Sequence, residues 1–355
     1  MSGLLLGAAK LAESALDNGR RVVENLRTGK NPYLQGNYAP VDDELTNEPC
    51  AVVSGKLPPD LRGAFLRNGP NPKYAPQGLY HWFDGDGMVH GVRLRGSGDN
   101  ADNTVATYGN HQVRTQKLAY ADAHGARDDM MRIGDMKGPL GVLRMLLLWA
   151  RVSLGDAQLK AVALPDSGGV ANTSLVLHGD RLLALVESSH PTALRLLESG
   201  ALETLGAYSM GGKLAHPFTA HPKVCPVTGE MMFFGYRFDA KPYCRYSVVN
   251  AQGDLVRTVD VGLPRPIMMH DFAVTTRHSV FMDLPLLFDP KGMVTSLNGG
   301  AFKLDLDAPA RFGVMPRHGG GPDDVRWFAR RSSAEHLIAT KALRCTATAW
   351  ITHCR

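Results

Sequence analysis

Residues 173–187 read TSLVLHGDRLLALVE, short apolar runs set between turn-forming residues. The same arrangement recurs as AFLRNG at 64–69, GMVHGVRLR at 87–95, MMFFGYRF at 231–238 and SVFMDLPL at 279–286. From Gly36 onward Gly and Pro are frequent between such runs. Short runs at this spacing predict an all-β body of antiparallel strands, as in a sandwich, barrel or propeller. No signature repeats at a fixed period, so a WD40 or kelch propeller is not indicated, and the blades of any propeller have diverged.

Two segments depart from this pattern. Between residues 4 and 27, Leu4, Leu5, Leu6, Leu11, Leu16, Val22 and Val23 lie among charged residues at helical spacing. They predict one amphipathic N-terminal helix within residues 1–30. Residues 138–154 carry an apolar run from Leu140 to Trp149 broken only by Arg144, and predict a second helix too short to span a bilayer. The preferred reading buries that helix against the β-body. Its alternative is a peripheral membrane contact through 138–154, which suits an enzyme with a lipid-soluble substrate.

With 355 residues, 44% of them hydrophobic and 21% charged, the chain is long enough for one large globular body or two ordinary domains. The formal net charge of +5 is small and the basic residues are scattered, so nothing suggests a nucleic-acid partner. Cys50, Cys225, Cys244, Cys345 and Cys354 are an odd set at irregular spacing, which argues against a disulfide framework. The opening MSGLLLGAAKLAES has no basic region before its leucines and is interrupted by Lys10, so it reads neither as a secretory signal nor as a membrane span. A cytoplasmic protein with reduced thiols is expected.

Among thirteen histidines, His221 in PFTAHPKVCPVTGE and His270 in PIMMHDFAVTTRHSVFMDLP sit where a loop enters a β-run. Each imidazole can therefore point off a strand end toward a common axis. Taken alone, such a histidine is more often a hydrogen-bonded loop or core residue than a ligand. The chain lacks CxxC, HExxH and GxSxG, which weakens zinc-hydrolase and serine-hydrolase readings. Imidazoles suit iron, copper, nickel or zinc and do not by themselves name the metal. His81, His90, His216, His278 and His318 are expected in turns or packing, not as ligands.

GNYAPV at 36–41, GKLPPDLRGAFLRNGPNP at 55–72 and HWFDGDGMVHGVRL at 81–94 together resemble the opening of the carotenoid cleavage oxygenases. ANTSLVLHGDRLLALVE, FTAHPKVCPVTGE, MMHDFAVTTRHSVFMDLPL and RFGVMPR follow in the family's order, so the resemblance covers Asn31 to Phe328. It implies a seven-bladed β-propeller whose axial iron(II) is held by four histidines, three of them oriented by glutamates. Carried over by motif, His221 and His270 are the first two ligands and Glu187 is an orienting glutamate. The implied activity is cleavage of a conjugated double bond of a carotenoid or apocarotenoid by dioxygen, giving two carbonyl products. No organic cofactor is needed.

Past Trp327 and Phe328 the family continues into a third histidine and an Asn-Ala-x-Glu motif. Here residues 329–355 read ARRSSAEHLIATKALRCTATAWITHCR, and the flanks of His336 do not match the third-ligand motif. The expectation is a partial propeller over 31–328 with an aberrant tail at 329–355, read as a frameshift product, and an inactive chain. Alternatives within the resemblance are a stilbene-cleaving or retinoid-isomerising enzyme. A non-catalytic lipid-binding remnant is the alternative of a different class.

Overall fold

The computed structural model describes residues 2–28, 31–76, 79–96, 104–126, 129–163, 169–296, 299–330 and 348–351. His336 and its neighbours in the tail lie outside the described residues. After helix α1 (Ser2–Thr28), strands β1 (Leu45–Cys50), β2 (Gly63–Pro70), β3 (Gly87–Gly96) and β4 (Thr104–Gln112) form an antiparallel sheet in the order β1-β4-β3-β2. Helices α2 (Gln116–Ala123), α3 (Gly138–Ser153) and α4 (Ala157–Val162) follow.

A second sheet is the meander β5 (Ser174–His178), β6 (Arg181–Leu185), β7 (Thr192–Leu196) and β8 (Leu202–Ala207). Its first hairpin turns on Gly179 and Asp180 alone, both at positive φ (54° and 59°). That pair of left-handed residues makes the tight turn whose twist matches the flanking strands. The third sheet runs through β9 (Lys223–Val224), β10 (Met231–Tyr236), β11 (Cys244–Val249) and β12 (Leu255–Val261).

The fourth sheet takes β13 (Phe272–Val274) and β14 (His278–Asp283), then a small excursion through β15 (Leu286–Phe288), α5 (Lys291–Thr295) and β16 (Phe302–Leu304). It closes with β17 (Ala310–Pro316) and β18 (Arg326–Arg330). Finally β19 (Thr348–Ile351) pairs with β2. The all-β expectation holds, and the runs quoted from the sequence become β2, β3, β5–β6, β10 and β14.

Period-2 alternation stacks these sheets as propeller blades. Leu182 and Ala184 pack toward Leu66 and Val89 of the first sheet, while Leu183 and Leu185 between them pack toward Met231 and Phe233 of the third. In the third sheet Met232 and Phe234 face the other way, onto Phe272, Phe281 and Met315 of the fourth. All six residues of β10 are buried, as a strand covered on both faces requires.

The helices overturn one expectation. Helix α3 forms where predicted, but it does not bury its leucines against the β-body. Leu140, Leu143, Leu146 and Trp149 are exposed, and the fully buried long side chains are Arg144 and Arg151. The reason is a set of carboxylates beneath the helix: Glu13 and Asp17 from α1, with Asp129, Asp135 and Asp156 from the flanking loops, all buried. Buried charge is tolerated only where it is paired, so the arginine face turns inward and the aliphatic face is left outside. Among the described residues no helix is long and apolar enough to cross a membrane.

Candidate metal centre

Three successive blades each deliver one side chain to the same place. Glu187 lies two residues past the end of β6, His221 two residues before β9, and His270 two residues before β13. The loop carrying His221 is tied to its surroundings by short hydrogen bonds. The Phe218 N–H donates to Ser189 O at 3.0 Å, and the Thr219 N–H donates to Phe234 O at 2.7 Å. The hydroxyl of Thr219 accepts the His221 N–H at 3.1 Å, and Pro222 then restricts the chain's exit.

The two imidazoles meet with ring centroids 4.4 Å apart at 71°, and their Nε2 atoms are 3.0 Å apart. Nδ1 of His270 contacts Oε1 of Glu187, and the hydroxyl of Tyr236 donates to Oε2 of the same carboxylate at 2.8 Å. Among the described residues this is the one trio of His, Cys, Asp or Glu able to converge on an ion, its donor atoms lying within 4.8 Å of one another. All three are half-buried.

Burial first, and the facing ring of His270 second, hold the His221 imidazole down at about 4, so it is neutral at ordinary pH. Nearby, Lys223 Nζ pairs with Asp271 Oδ1 at 2.7 Å, which cancels the cation nearest in sequence to His221. Burial, and then the charge of Glu187, push the phenol of Tyr236 far above its ordinary value, so it remains a hydrogen-bond donor.

The residues fit a nitrogen-preferring ion. A carboxylate on Nδ1 of His270 keeps the proton there and leaves the Nε2 lone pair facing His221. Two imidazole nitrogens each about 2.1 Å from one ion and meeting it at a right angle would stand about 3.0 Å apart, the separation found between these two. Glu187 is engaged with His270, which suits an orienting role better than a ligand's.

The other histidines are occupied elsewhere. His81 accepts the Phe83 N–H, His90 pairs with the Tyr108 hydroxyl at 2.7 Å, and His318 lies beside Glu230. His216 is buried between the Pro217 carbonyl and the Ser247 hydroxyl. His278 is exposed at the start of β14. Sequence reasoning missed Tyr236. Its signal was a phenol inside the otherwise apolar run MMFFGY, since a buried hydroxyl needs a partner.

The family profile described as retinal pigment epithelial membrane protein matches residues 38–339. A carotenoid 9,10(9',10')-cleavage dioxygenase of Crocus sativus is 42% identical over 323 residues, covering 90% of this chain and 56% of that protein. The carotenoid 9,10(9',10')-cleavage dioxygenase 1 of Phaseolus vulgaris is 44% identical over 296 residues, covering 83% and 52%. Among solved structures, the lignostilbene dioxygenase of Pseudomonas brassicacearum matches with a TM-score of 0.66 at 30% identity, over 84% of this chain and 56% of that one. A variant of the Synechocystis apocarotenoid oxygenase gives 0.61 at 25%, over 83% and 57%. The chain thus spans about half the length of the curated relatives it matches.

Proposed function

The chain belongs to the retinal pigment epithelial membrane protein family, the carotenoid cleavage oxygenases, and on that premise we propose an iron(II) site for dioxygen-dependent cleavage of a conjugated double bond. The substrate is a carotenoid or apocarotenoid and the products are two carbonyl compounds. The supporting observation is the 3.0 Å approach of two imidazole Nε2 atoms with a carboxylate behind one of them.

His221 and His270 would hold the ion and Glu187 would orient His270. Iron(II) bound there supplies a place for dioxygen to be taken up beside an electron-rich polyene. The chain's own residues prepare that place. Glu187 keeps the His270 proton on Nδ1, Tyr236 fixes the carboxylate, and burial keeps the His221 lone pair free of a competing proton.

The reading includes an inactive chain. The described residues bring two imidazoles together where the resemblance implies four, and two hold an ion less tightly. Cytoplasmic placement with reduced thiols is supported by Cys50, Cys225 and Cys244, all unpaired. The exposed leucines of α3 support peripheral membrane contact through 138–154. The likeness to a lignostilbene dioxygenase favours a stilbene-like phenolic substrate as the second reading.

The test is an anaerobic iron(II) titration of the purified chain, followed by aerobic incubation with an apocarotenoid and with a stilbene. Weak but stoichiometric iron uptake that needs both histidines supports the site; aldehydes formed from either compound would overturn the inactivity and decide between substrates. Iron uptake unaffected by replacing both histidines would refute it.

A further inference from the structure

The turn between β9 and β10 gathers hydrogen-bond donors around one sulfur. It reads Cys225, Pro226, Val227, Thr228, Gly229, Glu230. The Cys225 N–H donates to Glu230 O at 2.8 Å, and the Gly229 N–H donates to Cys225 O at 2.9 Å. Gly229 stands at φ 69°, the left-handed conformation that glycine adopts without strain. This closure turns the Thr228 hydroxyl and the N–H groups of Thr228 and Val227 toward the Cys225 sulfur. Arg317, one residue past the end of β17, brings its guanidinium to the same atom. Thr228 first, then Arg317 and Val227, hold the thiol down at about 6. The sulfur is also within reach of solvent, since Cys225 is only partly buried.

Arg317 gives a second and independent indication. It is 4% exposed. Its Nη2 donates to Glu230 Oε2 at 2.9 Å and to Thr228 Oγ1 at 3.2 Å, yet its buried Nε has no acceptor. Buried donors are nearly always satisfied, so an idle one beside a solvent-reached thiol marks a place for an added acceptor atom. The Thr228 hydroxyl has a single proton, which Glu230 Oε2 accepts at 2.9 Å and which the sulfur also attracts. Glu230 itself is neutralised by Arg317, with His318 beside it at 3.4 Å. The other described cysteines are placed differently. Cys50 is exposed, with its Sγ 3.8 Å from the Glu48 carbonyl, and Cys244 is buried, which pushes its thiol up.

We propose that Cys225 is a site of oxidation by hydroperoxides, with Thr228 and Arg317 as the donors that favour the reaction. The thiolate attacks the outer oxygen of the hydroperoxide, which keeps its proton. A sulfur–oxygen bond forms as the oxygen–oxygen bond breaks, and sulfur loses two electrons to the peroxide. The departing alkoxide or hydroxide takes a proton from water, leaving a sulfenic acid on Cys225. A hydroxyl and a guanidinium suit this class of oxidant because they stabilise charge on the departing oxygen. The oxygen added to sulfur then offers the Arg317 Nε–H an acceptor.

The experiment exposes the full chain to hydrogen peroxide at pH 7 in excess chelator, so that no iron-derived radical contributes. Dimedone traps sulfenic acid and peptide mass spectrometry locates it. Cys225 should be labelled about tenfold faster than Cys50, the advantage of an ionised thiol once the lower nucleophilicity of its thiolate is allowed for. Cys244 should stay unlabelled, and a thiol reductant added before dimedone should erase the label. Thr228→Val and Arg317→Lys should each slow the reaction several-fold, whereas Val227→Ala, which keeps its N–H, should not. Circular dichroism checks each fold; should Arg317→Lys not fold, Thr228→Val decides alone. At alkaline pH, where every thiol is ionised, iodoacetamide should alkylate the parent and Thr228→Val equally while peroxide still favours the parent. Equal peroxide rates there would overturn the donor role. Labelling of Cys225 no faster than that of Cys50 would overturn the site. No readout uses bound metal or polyene cleavage, so none depends on the dioxygenase reading.

Discussion

Tyr236 donates its hydroxyl proton to Glu187 Oε2 at 2.8 Å, while Oε1 of the same carboxylate receives Nδ1 of His270. A residue on the third blade thereby controls the ring orientation of a histidine at the start of the fourth. Removing the hydroxyl with Tyr236→Phe keeps the ring packing and frees the carboxylate to rotate. Partners of metal-ligating histidines typically influence affinity by about 10–100-fold. The expected result is about a tenfold loss of cobalt(II) or iron(II) affinity by calorimetric titration. An unchanged affinity would show that Tyr236 merely satisfies a buried acceptor.

His270→Ala should remove measurable iron(II) binding, because it deletes one of two converging nitrogens and leaves Glu187 with nothing to orient. His318→Ala is the matched control, since His318 is exposed and lies beside Glu230 away from the trio. Its affinity should remain within about twofold of the parent. Equal losses in both variants would mean that the metal is bound elsewhere or non-specifically.

That His221, His270 and Glu187 come together was legible only through the family resemblance, which places each in a motif at a loop–strand junction; taken alone, the residues left the two histidines as loop or core groups and did not single out Glu187. Tyr236 was not, because its partner comes from another blade and no local pattern names it. The orientation of α3 was misread for a related reason. Hydropathy reveals that a helix has an apolar stripe, and the usual inference turns that stripe toward the core. Here the surface beneath the helix is made of carboxylates gathered from α1 and three loops, so Arg144, which looked like an interruption in the run, is the residue that anchors it.

Arg144→Met should destabilise the fold by about 3–5 kcal/mol, the usual result of removing one partner from a buried ion pair. Burial already pushes the carboxyls of Glu13 and Asp17 upward, and Arg144 is among the groups opposing that rise. Adding Asp17→Asn to Arg144→Met should recover part of the loss, because one uncompensated charge then disappears. Urea denaturation read by circular dichroism measures both. A loss under about 1 kcal/mol would indicate that water enters the layer and screens it.

Acid should weaken the fold through His216. Its Nδ1 donates to Pro217 O and its Nε2 accepts from Ser247, each at 2.8 Å, and burial holds its imidazole down at about 4. The unfolded chain takes up this proton near 6.5, so between the two values the unfolded state binds more protons and stability rises with pH. The contribution is complete above about pH 6.5 and is lost as pH falls toward 4, up to about 3 kcal/mol. His221 is held down similarly and adds to the slope. Urea unfolding at pH 7.5, 6 and 5 should give a slope that His216→Gln reduces by roughly half. An unaltered slope would place the pH sensitivity in other groups.

Gly235 in β10 passes so close to the His221 loop that no side chain fits. A methyl group there would overlap the Pro217 carbonyl oxygen and press on Nδ1 of His216. Neither neighbour can yield easily, since Pro217 precedes Phe218, which is hydrogen-bonded to Ser189, and His216 is buried. Gly235→Ala should therefore cost about 3 kcal/mol through overpacking, and it should lower metal affinity because relief of the clash displaces the segment leading to His221. Gly69→Ala in β2 has nothing within 4 Å of the added carbon, so its stability should stay within about 0.5 kcal/mol of the parent. Thermal unfolding and cobalt(II) titration of the two variants separate these outcomes. A Gly235→Ala protein as stable as Gly69→Ala, with unchanged metal affinity, would mean that the His221 loop is not held against β10 as the structure has it.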